Sequence, residues 1–164
     1  MNFIGGIARF FIDPGLDEPL RLPRWVRLVL SHVQSLALLA ARLYVAQVFM
    51  LSGLTKIRDW SVTLALFQDE YHVPLLPPEL AAYMGTAGEL GLSSLLIVGL
   101  ASRFAAAGLS VVNVMAVLSL EEIAPAALMG HQLWGVLIAC VLLWGGGRWS
   151  ADAGIRHLRI SRGV

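Results

Sequence analysis

The sequence predicts an all-α integral membrane protein, a four-helix bundle with short amphipathic helices at the membrane interface. Three observations carry this. Of 164 residues, 57% are apolar and only 14% charged, with a mean hydropathy of +0.73, more apolar material than a soluble core of this size needs. Four apolar runs reach or approach the roughly 20 helical residues that cross about 30 Å of hydrocarbon. Lys and Arg total 12, and those that flank the runs fall nine on one side and two on the other, the asymmetry of a multi-pass chain.

The runs divide the chain into an N-terminal interfacial segment (1–32), a transmembrane domain (33–148) and a cytoplasmic tail (149–164). Span one covers about 33–54 and carries Arg42 and Gln47; span two covers about 80–100 and carries Glu89. Span three, about 104–120, carries Asn113; span four, about 126–144, has His131 and Gln132 near its start. Glu121, Glu122 and Pro125 separate the last two.

Orientation follows from the flanking charges. Arg9, Arg21, Arg24 and Arg27 precede span one, Arg103 lies between spans two and three, and Arg148, Arg156, Arg159 and Arg162 follow span four. Only Lys56 and Arg58 lie on the other side. The expectation is a cytoplasmic-membrane protein with both termini in the cytoplasm and a long outer segment. Within that segment, Trp60, Leu64, Phe67 and Tyr71 share one helical face before Pro74, Pro77 and Pro78 break it, which reads as a short amphipathic helix. Phe3, Ile4, Ile7, Phe10 and Phe11 suggest a second interfacial segment on the inner side. No cleavable-signal layout is present.

Candidate functional residues are the polar groups at depth. Counting residues from the ends of the spans puts Arg42 and Glu89 both near the midplane, with Asn113 at a similar level. Ala81, Gly85, Glu89 and Ser93 form a small-residue stripe that turns Glu89 toward protein. On span one Ser35, Arg42, Phe49 and Lys56 recur every seven residues on one face. Since an unpaired charge in hydrocarbon is costly, an Arg42–Glu89 pair completed by Gln47 or Asn113 is the expected arrangement. It serves equally as a ligand pocket or as a structural tie. Lys56, Glu121, Glu122 and His131, with His72, are expected at the outer rim; Arg103, Arg148 and Asp152 are expected as structural groups on the cytoplasmic side.

Several chemistries find no support. The single Cys140 excludes an internal dithiol. No metal-ligand spacing supports zinc, no second intramembrane His supports haem ligation by this chain alone, and no flavin fingerprint is present. The triple glycine at Gly145 to Gly147 follows a membrane span and lacks a phosphate-loop context; it reads as a helix stop. Nothing resembles a basic nucleic-acid patch.

The stretch Arg42 to Lys56 (RLYVAQVFMLSGLTK), the segment from Val73 through Glu89 to Gly99, Ala101 to Arg103, and Gly145 to Asp152 (GGGRWSAD) together resemble the DoxX family. The resemblance covers most of the chain from about residue 38 onward, and residues up to about Leu30 lie outside the pattern. It implies a small bacterial inner-membrane protein of four transmembrane helices. Relatives are associated with redox complexes, including a subunit of thiosulfate:quinone oxidoreductase, and with thiol and oxidative-stress assemblies. By that resemblance Arg42, Lys56, Glu89, Arg103, Arg148 and Asp152 are the family-like positions.

Three functions stay open at this stage: a non-autonomous redox-assembly subunit binding quinone or a similar small apolar molecule; a scaffold or anchor for a partner at the outer face; and a small-molecule or ion transporter. The expected partners are the lipid bilayer and either another protein or further copies of the chain.

Overall fold

The computed structural model describes residues 23–161, apart from the side chains at 159 and 160. The expected N-terminal segment around Phe3 to Phe11 lies outside them. All regular structure among the described residues is helical: α1 (Arg24–Arg58), α2 (Trp60–Asp69), α3 (Pro78–Val98), α4 (Ser102–Leu118), α5 (Pro125–Trp144) and α6 (Ala151–Ser161). The chain divides into two units, Met1–Val33 and Gln34–Val164. In the first, the described part is residue 23 and the opening turns of α1. The bundle belongs to the second.

Among the described residues three helices are long and apolar enough to cross a membrane: α1 with 35 residues, α3 with 21 and α5 with 20. The fourth, α4, has 17 residues and so a length of about 26 Å, just short of the hydrocarbon thickness. Around these helices the usual polarity is inverted. Leu43, Leu51, Ile97, Phe104, Val111, Leu133, Val136 and Leu143 are exposed, whereas Arg42, Glu89, Ser93 and Asn113 are buried. Such an exterior suits lipid, where apolar surface carries no hydration cost and polar groups must find partners inside. The chain is a multi-pass membrane protein.

All four long helices supply the core, with Val45, Ala46 and Phe49 from α1, Leu96 from α3, Ala105, Ala106 and Leu109 from α4, and Ile138 and Val141 from α5. Small side chains let the helices close in. Gly53 shows why: a Cβ there would lie 2.8 Å from Leu90 Cγ and 3.2 Å from Glu89 Cβ, so the α1–α3 approach needs a glycine. The stripe expected on α3 is inward, with Ala81, Glu89 and Ser93 buried.

Local chemistry sets the helix ends. Asp59 caps α2, its Oδ1 accepting from Val62 N–H at 3.1 Å and from Ser61 Oγ at 2.7 Å, and these bonds, led by that from Ser61, hold its carboxyl below the ordinary value. Pro78 opens α3, and Gly99 closes it in the left-handed conformation at φ 74°. Pro125 opens α5 and Gly145, at φ 80°, ends it. The amphipathic helix expected from Trp60 forms as α2. Together with Tyr71, Val73 and Leu76 it packs a satellite cluster of Phe67, Ala81 and Ala82 against the start of α3.

Two elements differ from expectation. Helix α1 starts at Arg24, about nine residues before the expected span, because the intervening Arg24, Arg27, Ser31 and His32 are compatible with helix even though they are not hydrophobic. A sixth helix, α6, stands where a tail was expected. Ser150 caps it, with its Oγ accepting from Ala153 N–H at 3.2 Å.

Candidate functional site

The expected contact between Arg42 and Glu89 does not form. The two residues occupy opposite ends of the interior, in two separate polar clusters. The antiparallel register explains the separation. On α1, Gly53 sits against Glu89 and Leu90, and Arg42 sits against Gly99. Eleven residues of α1 and ten of α3 therefore lie between the two levels, about 15 Å of helix. Counting depth from the apparent ends of the spans could not register this, because the apolar run on α1 is shorter than the helix.

Arg42 belongs to the end of the bundle where α3, α4 and α5 meet α6. It is 2% exposed. Its guanidinium donates to Gly146 O at 3.3 Å and to Trp149 O at 2.9 Å. Asp152 completes the knot: its carboxylate accepts from Ala101 N–H at 2.7 Å and Ser102 N–H at 2.8 Å, capping α4, while its own N–H donates to Gly99 O at 3.0 Å. Burial alone would raise this carboxyl. The bonds from Ser102 and Ala101 and the nearby Arg156 charge outweigh it and hold the group below the usual carboxylate value. Ala101, with φ 47°, adopts the left-handed region, which is strained for a residue with a Cβ and is held here by that carboxylate. Arg103 donates to Leu143 O at 2.8 Å across to α5. Arg103 and Asp152 thus tie helices together, and Arg148 is exposed in the turn between α5 and α6.

Glu89 lies at the other end, on a cavity of about 410 Å³. Its partner is Lys56, whose Nζ donates to Oε2 at 2.7 Å, to Oε1 at 2.8 Å and to Ser52 Oγ at 2.8 Å. Ser52 Oγ in turn donates to Glu89 Oε1 at 3.2 Å. Seven-residue spacing on α1 did place Arg42 and Lys56 on one face, but it is Lys56 that reaches the carboxylate.

His131 also lines the cavity. Asn113 Nδ2 donates to His131 O at 2.9 Å, which turns Asn113 Oδ1 toward His131 Nδ1 at 2.8 Å. That orientation puts the ring hydrogen on Nδ1 and makes Nε2 of the neutral ring an acceptor. Apart from Ser52, Ser119 and Tyr71 the remaining walls are apolar, among them Phe49, Phe67, Val112, Met115 and Trp134. Size and lining are those of a small-molecule pocket.

Tyr71 is the residue that sequence reasoning missed. It was legible only as part of an amphipathic face. When α2 folds back, Thr63 Oγ1 donates to Lys56 O at 2.9 Å and His72 N–H donates to Ser119 O at 2.8 Å, and Tyr71 comes to line the cavity beside Phe67, ring centroids 5.1 Å apart. Burial, then the charges of Glu70 and Glu89, push its phenol up, so it keeps its O–H at neutral pH as a donor.

Of the other predicted residues, Gln47 is exposed on α1, Glu121 and Glu122 are exposed in the α4–α5 turn, and none of the three lines the cavity. Lys56 and His131, expected at a solvated rim, are cavity residues.

No curated protein and no solved structure matches the chain. The DoxX family model matches residues 37–122, slightly over half the sequence. That stretch holds Arg42, the Lys56–Glu89 pair, Tyr71 and Asn113, and the chain, with its apolar helices, belongs to the DoxX family of membrane proteins.

Proposed function

We propose that this protein is a non-autonomous membrane subunit of a bacterial redox or oxidative-stress assembly, and that the Lys56–Glu89 cavity binds a quinone or a similar small apolar molecule bearing a carbonyl. The single observation that carries the reading is a charged pair, a neutral phenol and an imidazole on the wall of a largely apolar cavity of about 410 Å³. A ring with carbonyl oxygens fits such walls: the apolar faces take the ring, and the Tyr71 O–H supplies a donor for an oxygen. Glu89 and Lys56, held together, keep the resting site free of net charge in the membrane. Electrons would come from a partner protein, because one cysteine and no flavin fingerprint leave this chain without a carrier of its own. The nine-to-two bias of basic residues supports an inner-membrane protein with both termini cytoplasmic; a reporter fused after Val164 that is active only outside would overturn that orientation.

The test is photolabelling of the protein in lipid nanodiscs with a short-chain azidoquinone. Gly85 lines the cavity, and a Cβ there would sit 3.8 Å from Phe67 Cζ, so Gly85→Leu fits at the backbone and fills the space beyond. Labelling of the peptides that carry Tyr71 and His131 is expected in the native protein and lost in Gly85→Leu. Equal labelling in both sinks the proposal.

One observation favours the scaffold reading instead. Leu75 is fully exposed and has a φ of 66°, an apolar side chain presented on a strained turn at the Lys56–Glu89 end, where a partner would touch it. Unchanged co-purification of a partner by Leu75→Ser would remove that support.

A further inference from the structure

We propose that α6 is a membrane-surface helix that holds the anionic phospholipid headgroups of the leaflet beside it. Ile155 and Leu158, one turn apart, share a face with Ala151 and are 41% and 55% exposed. Arg156 and His157 are exposed as well and project about 130° to either side of that face. The helix is too short and too polar to span, and among the described residues its apolar stripe is left largely uncovered.

The Arg42–Asp152 knot fixes where the helix lies. Its first turn is tied to Gly99, Ala101 and Ser102, the junction at which α3 ends and α4 begins. That junction is the end of the spans and hence the level of the interface. Trp144 and Trp149, each 56% exposed, stand at the same end, where indole rings prefer the headgroup layer.

Charge selects the occupant. Residues 151–164 contain three arginines and a single acid, Asp152, and that acid is committed to the backbone of Ala101 and Ser102. Arg103 and Arg148 add positive charge at the same end of the bundle. An apolar stripe with Arg156 to one side of it, in a segment rich in arginine whose one carboxylate is turned inward, matches an anionic lipid surface: the stripe enters the boundary between headgroups and acyl chains while the basic segment meets phosphates.

The experiment uses the full chain with Cys140→Ser, carrying a nitroxide on Leu158→Cys or on His157→Cys, in phosphatidylcholine bilayers with and without phosphatidylglycerol. Accessibility to oxygen and to a water-soluble nickel chelate reports depth. With phosphatidylglycerol, the label at 158 should favour oxygen and the label at 157 should favour nickel. Removing phosphatidylglycerol, or introducing Arg156→Glu with Arg159→Glu, should raise nickel access at 158 severalfold. A label at 158 that is aqueous in phosphatidylglycerol bilayers overturns the proposal. So does one shielded from both reagents, which would mean protein cover, or one indifferent to lipid charge in the native sequence.

Discussion

Lys56 directs all three of its ammonium hydrogens inward, two to Glu89 and one to Ser52. A buried pair of this kind is costly to break from one side, because the surviving charge keeps its desolvation and loses its partner. Lys56→Met or Glu89→Met alone should each destabilise the protein by about 3–5 kcal/mol, whereas the double replacement should recover a large part of the loss. Thermal unfolding of the four proteins in one detergent measures the coupling, and simple additivity would show that the pair does no joint work. The sequence displayed both charges, and the inward facing of Glu89 was legible from the small-residue stripe. Their partnership was not, since Lys56 was placed at a solvated rim and only the folded register brings it to the carboxylate.

At the scale of elements, the spans were readable because hydropathy persists over whole helices: α3, α4 and α5 begin and end within about two residues of the expected limits. What hydropathy cannot encode is how one helix slides along another. That is decided by a few close contacts, at Gly53 and at Gly99, and matching of depths without them paired the wrong residues. Helix α6 escaped notice because its signal is only Ser150 as a cap and two apolar residues one turn apart. Its attachment nonetheless has a measurable signature. The Asp152 carboxyl is held below its ordinary 3.8, so its stabilisation is complete above that pH and is lost as the pH falls through the lower, folded value. Asp152→Asn should cost about 0.5–2 kcal/mol at neutral pH, the range for loss of a helix cap. The gap in melting temperature between the two proteins should close as the pH is lowered below 3.8; a gap independent of pH would show that the charge contributes nothing.

Across the whole molecule, a polar knot and a cavity holding a charged pair are kept apart at the two ends of one apolar bundle, so the two sets of charges do not share partners. The knot has a consequence in time. Arg42 and its acceptor Gly146 are 104 residues apart; at a synthesis rate of about 5–20 residues per second, some 5–20 seconds separate them on the ribosome. During that interval the first span holds an arginine near the end of the membrane-spanning bundle without its final acceptors. The nascent chain is thus most vulnerable before its last loop emerges, and membrane proteases would meet an unfinished protein with a charge still seeking a carbonyl. A chain stopped after Trp144 should be cleared several times faster than the full one in a pulse-chase, and Arg42→Leu should slow that clearance by removing the waiting charge. Equal lifetimes for the two stopped chains would show that the arginine finds other shelter while it waits.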